Sequence, residues 1–223
     1  MNKITRKVLI AALFFFSFAM SSVLAQAKFD LVHFTTKDGG KIEAAFFDAG
    51  LDQAVIFTHG AIFNKESWYF LAEKFQKIGI SSLSIDFRGY GKSTAANTNK
   101  KYLDVLGAIQ YLKEKGVKEI DIIGASMGGA AVLTALKQTS DSLISKVVLL
   151  APAGGPPINS KTINKLFIVS KKERLYNRVK MIFNKSAKPK TLKVFNGNAH
   201  AQHLFKTDYA KELTGLIIGF INN

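Results

Sequence analysis

Ser126 lies in a sequence context that could turn a hydroxyl group into a nucleophile. It belongs to Gly124-Ala125-Ser126-Met127-Gly128, a G-x-S-x-G pattern. The apolar run at residues 119–123 predicts a strand before the pattern, and residues 127–137 predict a helix after it. Glycines on both sides of the serine let the chain turn sharply, which would lift the hydroxyl above the sheet. A chain with 17 glycines can contain this pattern by chance, so its place between strand and helix is what favours a nucleophile.

A serine hydroxyl needs a base to accept its proton, and His200 is the best candidate. It follows the predicted strand 191–195 through a short loop. His203, the other histidine after Ser126, is more simply a surface residue. The pair His200-x-x-His203 has a spacing that suits a metal ion, but no third ligand with matching spacing accompanies it, so we predict no metal site.

Two carboxylates between Ser126 and His200 could orient this base, Asp141 and Glu173. In a parallel sheet the reactive groups gather at the carboxyl ends of the strands. Glu173 follows the predicted strand 166–169 at that end, whereas Asp141 lies between the preceding helix and the next strand. We therefore predict a triad of Ser126, His200 and Glu173. The alternative role for Glu173 is a solvated surface acid or a helix cap.

Acyl transfer also requires two fixed donors for the negative charge that develops on the carbonyl oxygen. The backbone N–H of Met127, at the start of the predicted helix, is one candidate. The loop after the predicted strand 54–57 offers the other, because Gly60 permits a close backbone approach and the N–H of Ala61 follows it. His59 precedes the nucleophile, and we expect it to support this loop rather than to act as the base.

These groups can meet only if the intervening chain forms a sheet that gathers them, and the hydropathy pattern predicts such a sheet. Runs of Val, Ile and Leu alternate with amphipathic segments, which is typical of a parallel sheet covered by helices on both faces. The fold class is therefore α/β, and its first two strands form a hairpin. We predict strands at residues 31–35, 41–47, 54–57, 82–85, 119–123, 146–150, 166–169 and 191–195, and helices near 68–75, 100–115, 127–137, 174–183 and 209–220.

The composition and the N-terminus indicate one exported domain. With 48% hydrophobic residues and no cysteine, the chain is neither disordered nor a disulfide-stapled scaffold. Three positive charges, an apolar core at residues 8–20 and small residues up to Ala25 predict a signal peptide at 1–25, followed by a single domain at 26–223. The apolar core is too short to span a membrane. We expect the protein in the periplasm or the medium, with no stable membrane anchor after cleavage.

Most of the net charge of +15 is concentrated in one segment. Residues 161–193 contain 11 basic residues and a single acid, Glu173. A solvated helix face is the simplest interpretation. The alternative is a basic rim beside Glu173 that attracts an anionic substrate or an acidic polymer of the cell envelope. No nucleic-acid recognition motif accompanies the charge, so we predict no nucleic-acid partner.

Gly91-Lys92-Ser93 matches the end of a phosphate-binding loop. That motif requires a glycine five residues before Gly91, and this chain has Asp86 there. We therefore predict no nucleotide site.

Taken together, these motifs resemble the α/β-hydrolase family over almost the whole chain after residue 25. The matching features are His59-Gly60, the segment Asp86-Phe87-Arg88-Gly89-Tyr90-Gly91-Lys92-Ser93, the G-x-S-x-G pattern, and the order Ser126, Glu173, His200. The resemblance implies an eight-stranded, mostly parallel sheet with an antiparallel second strand. It also implies that residues 86–93 are a structural turn and that the triad acid, usually Asp in the family, is here Glu173.

The segment between the predicted strands 146–150 and 166–169 is too short for the helical lid of many relatives, so we expect no cap domain and an open site. Candidate substrate contacts are apolar loop residues, whose simpler role is packing. They are Phe63, Trp68, Ala153 and Ile158.

The sequence thus predicts a serine hydrolase that cleaves a carboxylic ester through an acyl-enzyme, with no cofactor. Its substrate would be a small-molecule or polymer-borne ester. A peptidase, a lactone hydrolase and a thioesterase would use the same triad, and the sequence does not separate them. A non-catalytic basic binding module on the same scaffold is the alternative from another class.

Overall fold

The computed structural model describes residues 29–139 and 142–223. The predicted signal peptide at 1–25 and the alternative acid Asp141 lie outside the described residues. Within the described ranges, no helix has the length and apolar character needed to cross a membrane.

The described residues form one eight-stranded sheet in the order β1-β2-β4-β3-β5-β6-β7-β8. β2 pairs antiparallel with both β1 and β4, and every other pairing is parallel. This confirms the mostly parallel sheet with an antiparallel second strand, and each predicted strand lies within two residues of its observed bounds. The strands are β1 (Asp30–Thr35), β2 (Lys41–Phe47), β3 (Gln53–Thr58), β4 (Ser81–Ile85), β5 (Glu119–Ala125), β6 (Ile144–Leu150), β7 (Asn164–Ser170) and β8 (Lys190–Phe195).

Five α-helices cover the sheet among the described residues. They are α1 (Tyr69–Gln76), α2 (Tyr102–Glu114), α3 (Met127–Leu136), α4 (Tyr176–Lys185) and α5 (Ala210–Asn222). Two 3₁₀ segments, Lys65–Trp68 and Ala201–Lys206, add to them. The second was not predicted, because six residues are too few to show helical periodicity. The connection from β6 to β7 contains no helix, so the expected absence of a cap domain is confirmed for this structure.

The core lies on both faces of the central strands. Every residue of β4 is buried, as is every residue of β3 after the first, so helices must exclude water from both sides. This is why these strands read as continuous apolar runs rather than as alternating ones. On the helices, apolar side chains face the sheet, as Leu71, Ala72 and Phe75 of α1 do.

Buried charges fix the turn at residues 86–93. Arg88 is fully buried, and its Nε donates to Asp104 Oδ1 at 2.7 Å while its Nη1 donates to Asp38 Oδ2 at 2.8 Å. Hydrogen bonding to Arg88 holds the pKa of Asp38 well below its usual range. At Gly91, φ is +51° and a Cβ would lie 2.1 Å from Asp86 Oδ2, so only glycine fits. These contacts are those of a packed structural turn.

Replacing Asp104 by alanine should strongly destabilise the protein, because the Arg88 guanidinium would stay buried without one of its two carboxylate partners. We expect the free energy of unfolding to fall by about 3–5 kcal/mol, measured by urea denaturation. Asp52→Ala is the matched control, since Asp52 pairs with Lys118 on the surface, where solvent screens the pair. The urea midpoint of this control should stay unchanged. An equal loss in both variants would contradict the role assigned to the buried pair.

Candidate active site

Ser126 occupies a strained turn between β5 and α3. Its φ of +50° and ψ of −110° lie in a region that residues other than glycine rarely adopt. Close packing of α3 against β3 enforces the turn. A Cβ at Gly128 would lie 2.4 Å from the carbonyl oxygen of Thr58, and one at Gly124 would lie 3.0 Å from the backbone of Gly129. The flanking glycines therefore allow the approach that sets Ser126 above the sheet edge.

The structure brings the three predicted triad residues into contact. Ser126 Oγ lies 2.8 Å from His200 Nε2, and His200 Nδ1 lies 2.5 Å from Glu173 Oε2. Glu173 is buried, whereas 37% of the His200 side chain is exposed. Because a carboxylate can only accept, Nδ1 carries a proton in this arrangement and Nε2 is free to accept the serine proton. The geometry suits general-base activation of the hydroxyl.

Hydrogen bonds hold the acid loop and the histidine loop together. Ser170, at the end of β7, donates from its N–H to Glu173 Oε1 at 3.1 Å and from its hydroxyl to the Ala199 carbonyl at 2.5 Å. The N–H of Lys172 donates to the Gly197 carbonyl at 2.8 Å. Since β7 and β8 are parallel neighbours, their following loops leave the same edge of the sheet and can be joined in this way.

The loop that carries Ala61 lies against the nucleophile. The point where a Gly60 Cβ would stand is 3.6 Å from Ser126 Cβ. No described residue accepts a hydrogen bond from the N–H of Ala61 or of Met127. Tyr90 bridges the two, because its hydroxyl donates to the Ala61 carbonyl at 2.9 Å and lies 3.6 Å from Met127 Sδ.

His59 supports the loop that carries Ala61 through two hydrogen bonds. The N–H of Phe87 donates to His59 Nε2 at 3.2 Å, so Nδ1 carries the proton and donates to the Gly60 carbonyl at 2.8 Å. Burial lowers the pKa of His59, which favours the neutral ring that these two hydrogen bonds require.

Gln202 is a site residue that the sequence analysis missed. It is 4% exposed, and its Oε1 accepts from the Gly60 N–H at 2.8 Å while its Nε2 donates to Ser67 Oγ at 2.8 Å. Gln202 thereby links the loop that carries Ala61 to the segment that follows His200. A lone glutamine with no motif around it carries no sequence signal for this role, and Tyr90 was missed for the same reason.

Two of the four predicted substrate contacts lie beside the site. The Phe63 ring passes 3.4 Å from the position of a Gly60 Cβ. Ala153 donates its N–H to the Ser126 carbonyl at 2.9 Å. Both residues remain candidates for contact with a substrate.

The predictions for Trp68 and Ile158 are wrong. Trp68 is completely buried, with its ring stacked on Phe57 at a centroid distance of 5.2 Å, and offers no surface to a ligand. Ile158 is 4% exposed and donates its N–H to Ser186 Oγ beyond the far end of α4. The β6–β7 connection runs from the edge that holds Ser126 to the opposite edge, so its later residues leave the site.

The residues described include no group of three or more His, Cys, Asp or Glu side chains arranged to hold a metal ion.

Gly128→Ala tests the packing that forces the turn. The added methyl group would collide with the Thr58 backbone, and we expect a loss of about 1–3 kcal/mol in the free energy of unfolding, measured by thermal or urea denaturation. Gly215→Ala, within α5, is the matched control because nothing lies within 4 Å of its Cβ position. Alanine should stabilise that helix by up to about 1 kcal/mol. Changes of the same sign and size in both variants would contradict the steric argument.

Comparison with known proteins agrees with this architecture. A family model described as the alpha/beta hydrolase fold matches residues 53–166, just over half of the chain. The (E)-2-((N-methylformamido)methylene)succinate hydrolase of Acinetobacter baylyi is 27% identical over 108 residues, which cover 48% of this chain and 40% of that protein. The matches to such curated relatives span less than half of the length of those proteins.

Solved structures share the fold over nearly the full described chain. An esterase from Exiguobacterium antarcticum superposes with a TM-score of 0.72 at 18% identity, covering 86% of this chain and 99% of its own. A bromoperoxidase from Bacillus anthracis superposes with a TM-score of 0.68 at 15% identity, covering 87% of this chain and 100% of its own. At such identities the likeness establishes the fold alone. With the family match, the strand order and the turn at Ser126 in agreement, the chain belongs to the alpha/beta hydrolase fold family.

Proposed function

We propose that this protein is a serine hydrolase that cleaves carboxylic esters through an acyl-enzyme. The observation that carries the proposal is the unbroken contact from Ser126 Oγ through His200 to Glu173, with distances of 2.8 Å and 2.5 Å. A hydroxyl, an imidazole and a carboxylate in this order are the parts of a nucleophilic acyl-transfer site.

In the first half-reaction Ser126 Oγ attacks the ester carbonyl as His200 Nε2 takes its proton. Glu173 stabilises the imidazolium that results and keeps the ring oriented. The N–H groups of Ala61 and Met127 would hold the oxyanion of the tetrahedral intermediate. When this intermediate collapses, the carbon–oxygen bond to the alcohol breaks and Nε2 returns the proton to the leaving oxygen. Water then repeats the sequence on the acyl-enzyme and releases the carboxylic acid.

Peptidase, lactone hydrolase and thioesterase activities would pass through the same intermediates. An ester is favoured because the site is open, with no cap domain to enclose a long chain, and because solved structures that share the fold include esterases by name. A panel of short-chain aryl esters, aminoacyl arylamides, lactones and thioesters separates these activities. A non-catalytic binding module would have no requirement for the Ser126–His200–Glu173 contacts.

We also propose that the substrate is anionic. Segment 161–193 contributes Lys171, Lys172 and Arg174, which flank Glu173 after the carboxyl end of β7, whereas its residues Lys161, Lys165, Lys188 and Lys190 lie toward the opposite edge of the sheet. Within it, Arg178 Nη1 donates to the Ala153 carbonyl at 2.6 Å, and Ala153 in turn donates to the Ser126 carbonyl. This places a guanidinium at the rim of the site, where its field would raise the encounter rate of an anion. If residues 1–25 act as a signal peptide, such substrates would be met outside the cytoplasm.

A fluorophosphonate probe tests the nucleophile directly. We expect the folded wild-type protein to be labelled and Ser126→Ala to lose labelling completely. Ser142→Ala is the control, since Ser142 is an exposed serine away from the triad, and it should label at the wild-type rate. Glu173→Gln should slow labelling by at least about 100-fold, because the histidine loses its anionic partner. An unlabelled wild-type protein with a normal thermal transition would contradict the proposed enzyme.

Ionic strength tests the charge of the substrate. Raising salt from about 0.05 to about 0.5 M should lower kcat/KM several-fold for a negatively charged ester and leave a neutral ester of similar size almost unchanged. Arg178→Gln should reduce this salt dependence. The control Lys77→Gln, at the end of α1, should preserve it because this exposed lysine lies beyond the helix end remote from the site. Equal salt responses for the two esters would contradict an anionic substrate.

A further inference from the structure

A cavity of about 360 Å³ opens near the triad, and Phe63 is the one of its lining residues that the sequence analysis named as a candidate substrate contact. It lies between the loop after β3, the start of α1 and the 3₁₀ segment Ala201–Lys206. Its lining residues are Phe63, Ser67, Phe70, Gln202, Phe205 and Lys206.

Two walls of the cavity lie close to the nucleophile. Phe63 Cδ2 and Gln202 Oε1, from two of its walls, approach the Gly60 Cβ position to 3.4 and 3.3 Å, and Ser126 Cβ approaches the same point to 3.6 Å. A group attached to Ser126 Oγ would therefore reach the cavity within a few bonds. An acyl group stays bound to the serine through the second half-reaction, so it needs such a space more than the departing alcohol does.

The walls are suited to an apolar ring. Three of the six lining residues are phenylalanines, and Phe70 meets Phe205 edge-to-face at a centroid distance of 5.0 Å. The polar groups of the other walls are already engaged. Gln202 bonds to Gly60 and Ser67, and the Ser67 hydroxyl donates to the Asn64 carbonyl at 2.6 Å. An aryl group stacks well in such surroundings, and a volume at the small end of ligand pockets suits a single ring.

Lys206 adds a positive charge to this lining. Its Nζ lies 5.9 Å from the centroid of the Phe63 ring, and the side chain is exposed. Within residues 29–139 and 142–223, no carboxylate forms an ion pair with it. Lys206 is the charged member of the described lining, so an anionic group on the ligand would find a partner there.

We propose that this cavity is the acyl subsite, and that it selects an aromatic acyl group that carries a carboxylate, with Lys206 as the residue that recognises the charge. The inference rests on the proposed function and extends it to the class of substrate. The preferred ester would be the monoester of an aryl dicarboxylic acid.

The test compares three 4-nitrophenyl esters, of acetic, phenylacetic and 4-carboxyphenylacetic acid, by their kcat/KM values. Wild type should prefer the second ester to the first and the third to the second. Phe70→Ala should reduce the phenylacetate-to-acetate ratio by about tenfold, since it removes an apolar wall. Ile78→Ala, which removes a comparably exposed apolar side chain beyond the other end of α1, should leave that ratio unchanged.

Lys206→Gln should reduce the ratio of the carboxylated ester to phenylacetate by about threefold or more, while Lys211→Gln, on the exposed side of α5, should preserve it. Unchanged ratios in Phe70→Ala and Lys206→Gln proteins that melt like wild type would overturn the subsite. Fluorophosphonate labelling separates the two proposals: labelled wild type with unchanged ratios refutes only the subsite, whereas unlabelled wild type refutes the serine hydrolase too.

Discussion

The close approach of α3 to β3 is the constraint on which the site depends. Gly128 passes so near the Thr58 carbonyl that no side chain fits between them. The chain reaches this position only by turning through Ser126 with a positive φ, a conformation that costs about 1–3 kcal/mol for a residue with a side chain. Packing of the apolar helix α3 holds Ser126 in this strained conformation. The serine hydroxyl therefore lies above the sheet edge, next to His200.

Side-chain contacts join loops that the sheet alone would only bring near one another. Gln202 links the segment after His200 to the loop after β3, Tyr90 links that loop to the start of α3, and Ser170 links the acid loop to the histidine loop. The bonds to Gly60, Ala61 and Ala199 each join a side chain to the backbone of another loop, whereas the contact of Tyr90 with Met127 Sδ joins two side chains. Such bonds hold backbone donors and the imidazole in place before a substrate arrives, which is what electrostatic preorganisation requires.

Buried charges outside the triad also help to position the loops of the site. Arg88, between Asp38 and Asp104, fixes the turn that carries Tyr90. Lys65 is almost buried between Glu43 and Asp86. Burial by itself would lower the pKa of Lys65, but hydrogen bonds to Asp86 and Glu43 outweigh this effect and leave the pKa raised, so the side chain keeps its charge. These ions stay charged because each has a partner at hydrogen-bond distance, and they anchor the loops on the reactive side of the sheet.

The sequence by itself determined the strands, the helices and the α/β class, because burial on both faces imposes continuous apolar runs that can be read without coordinates. It also singled out Ser126, Glu173 and His200, since each follows a strand at the edge where parallel strands gather their loops. The roles of Trp68 and Ile158 were misjudged, because an apolar residue in a loop looks the same whether it faces a ligand or the core. Only the tertiary structure decided which loops touch: Gln202, Tyr90, Phe70 and Lys206 come from separate segments and acquire a role through contacts that no local pattern encodes. Hydropathy periodicity reports the burial of one segment, whereas a site is made by the relative placement of several, and that placement is fixed by the packing of the whole sheet.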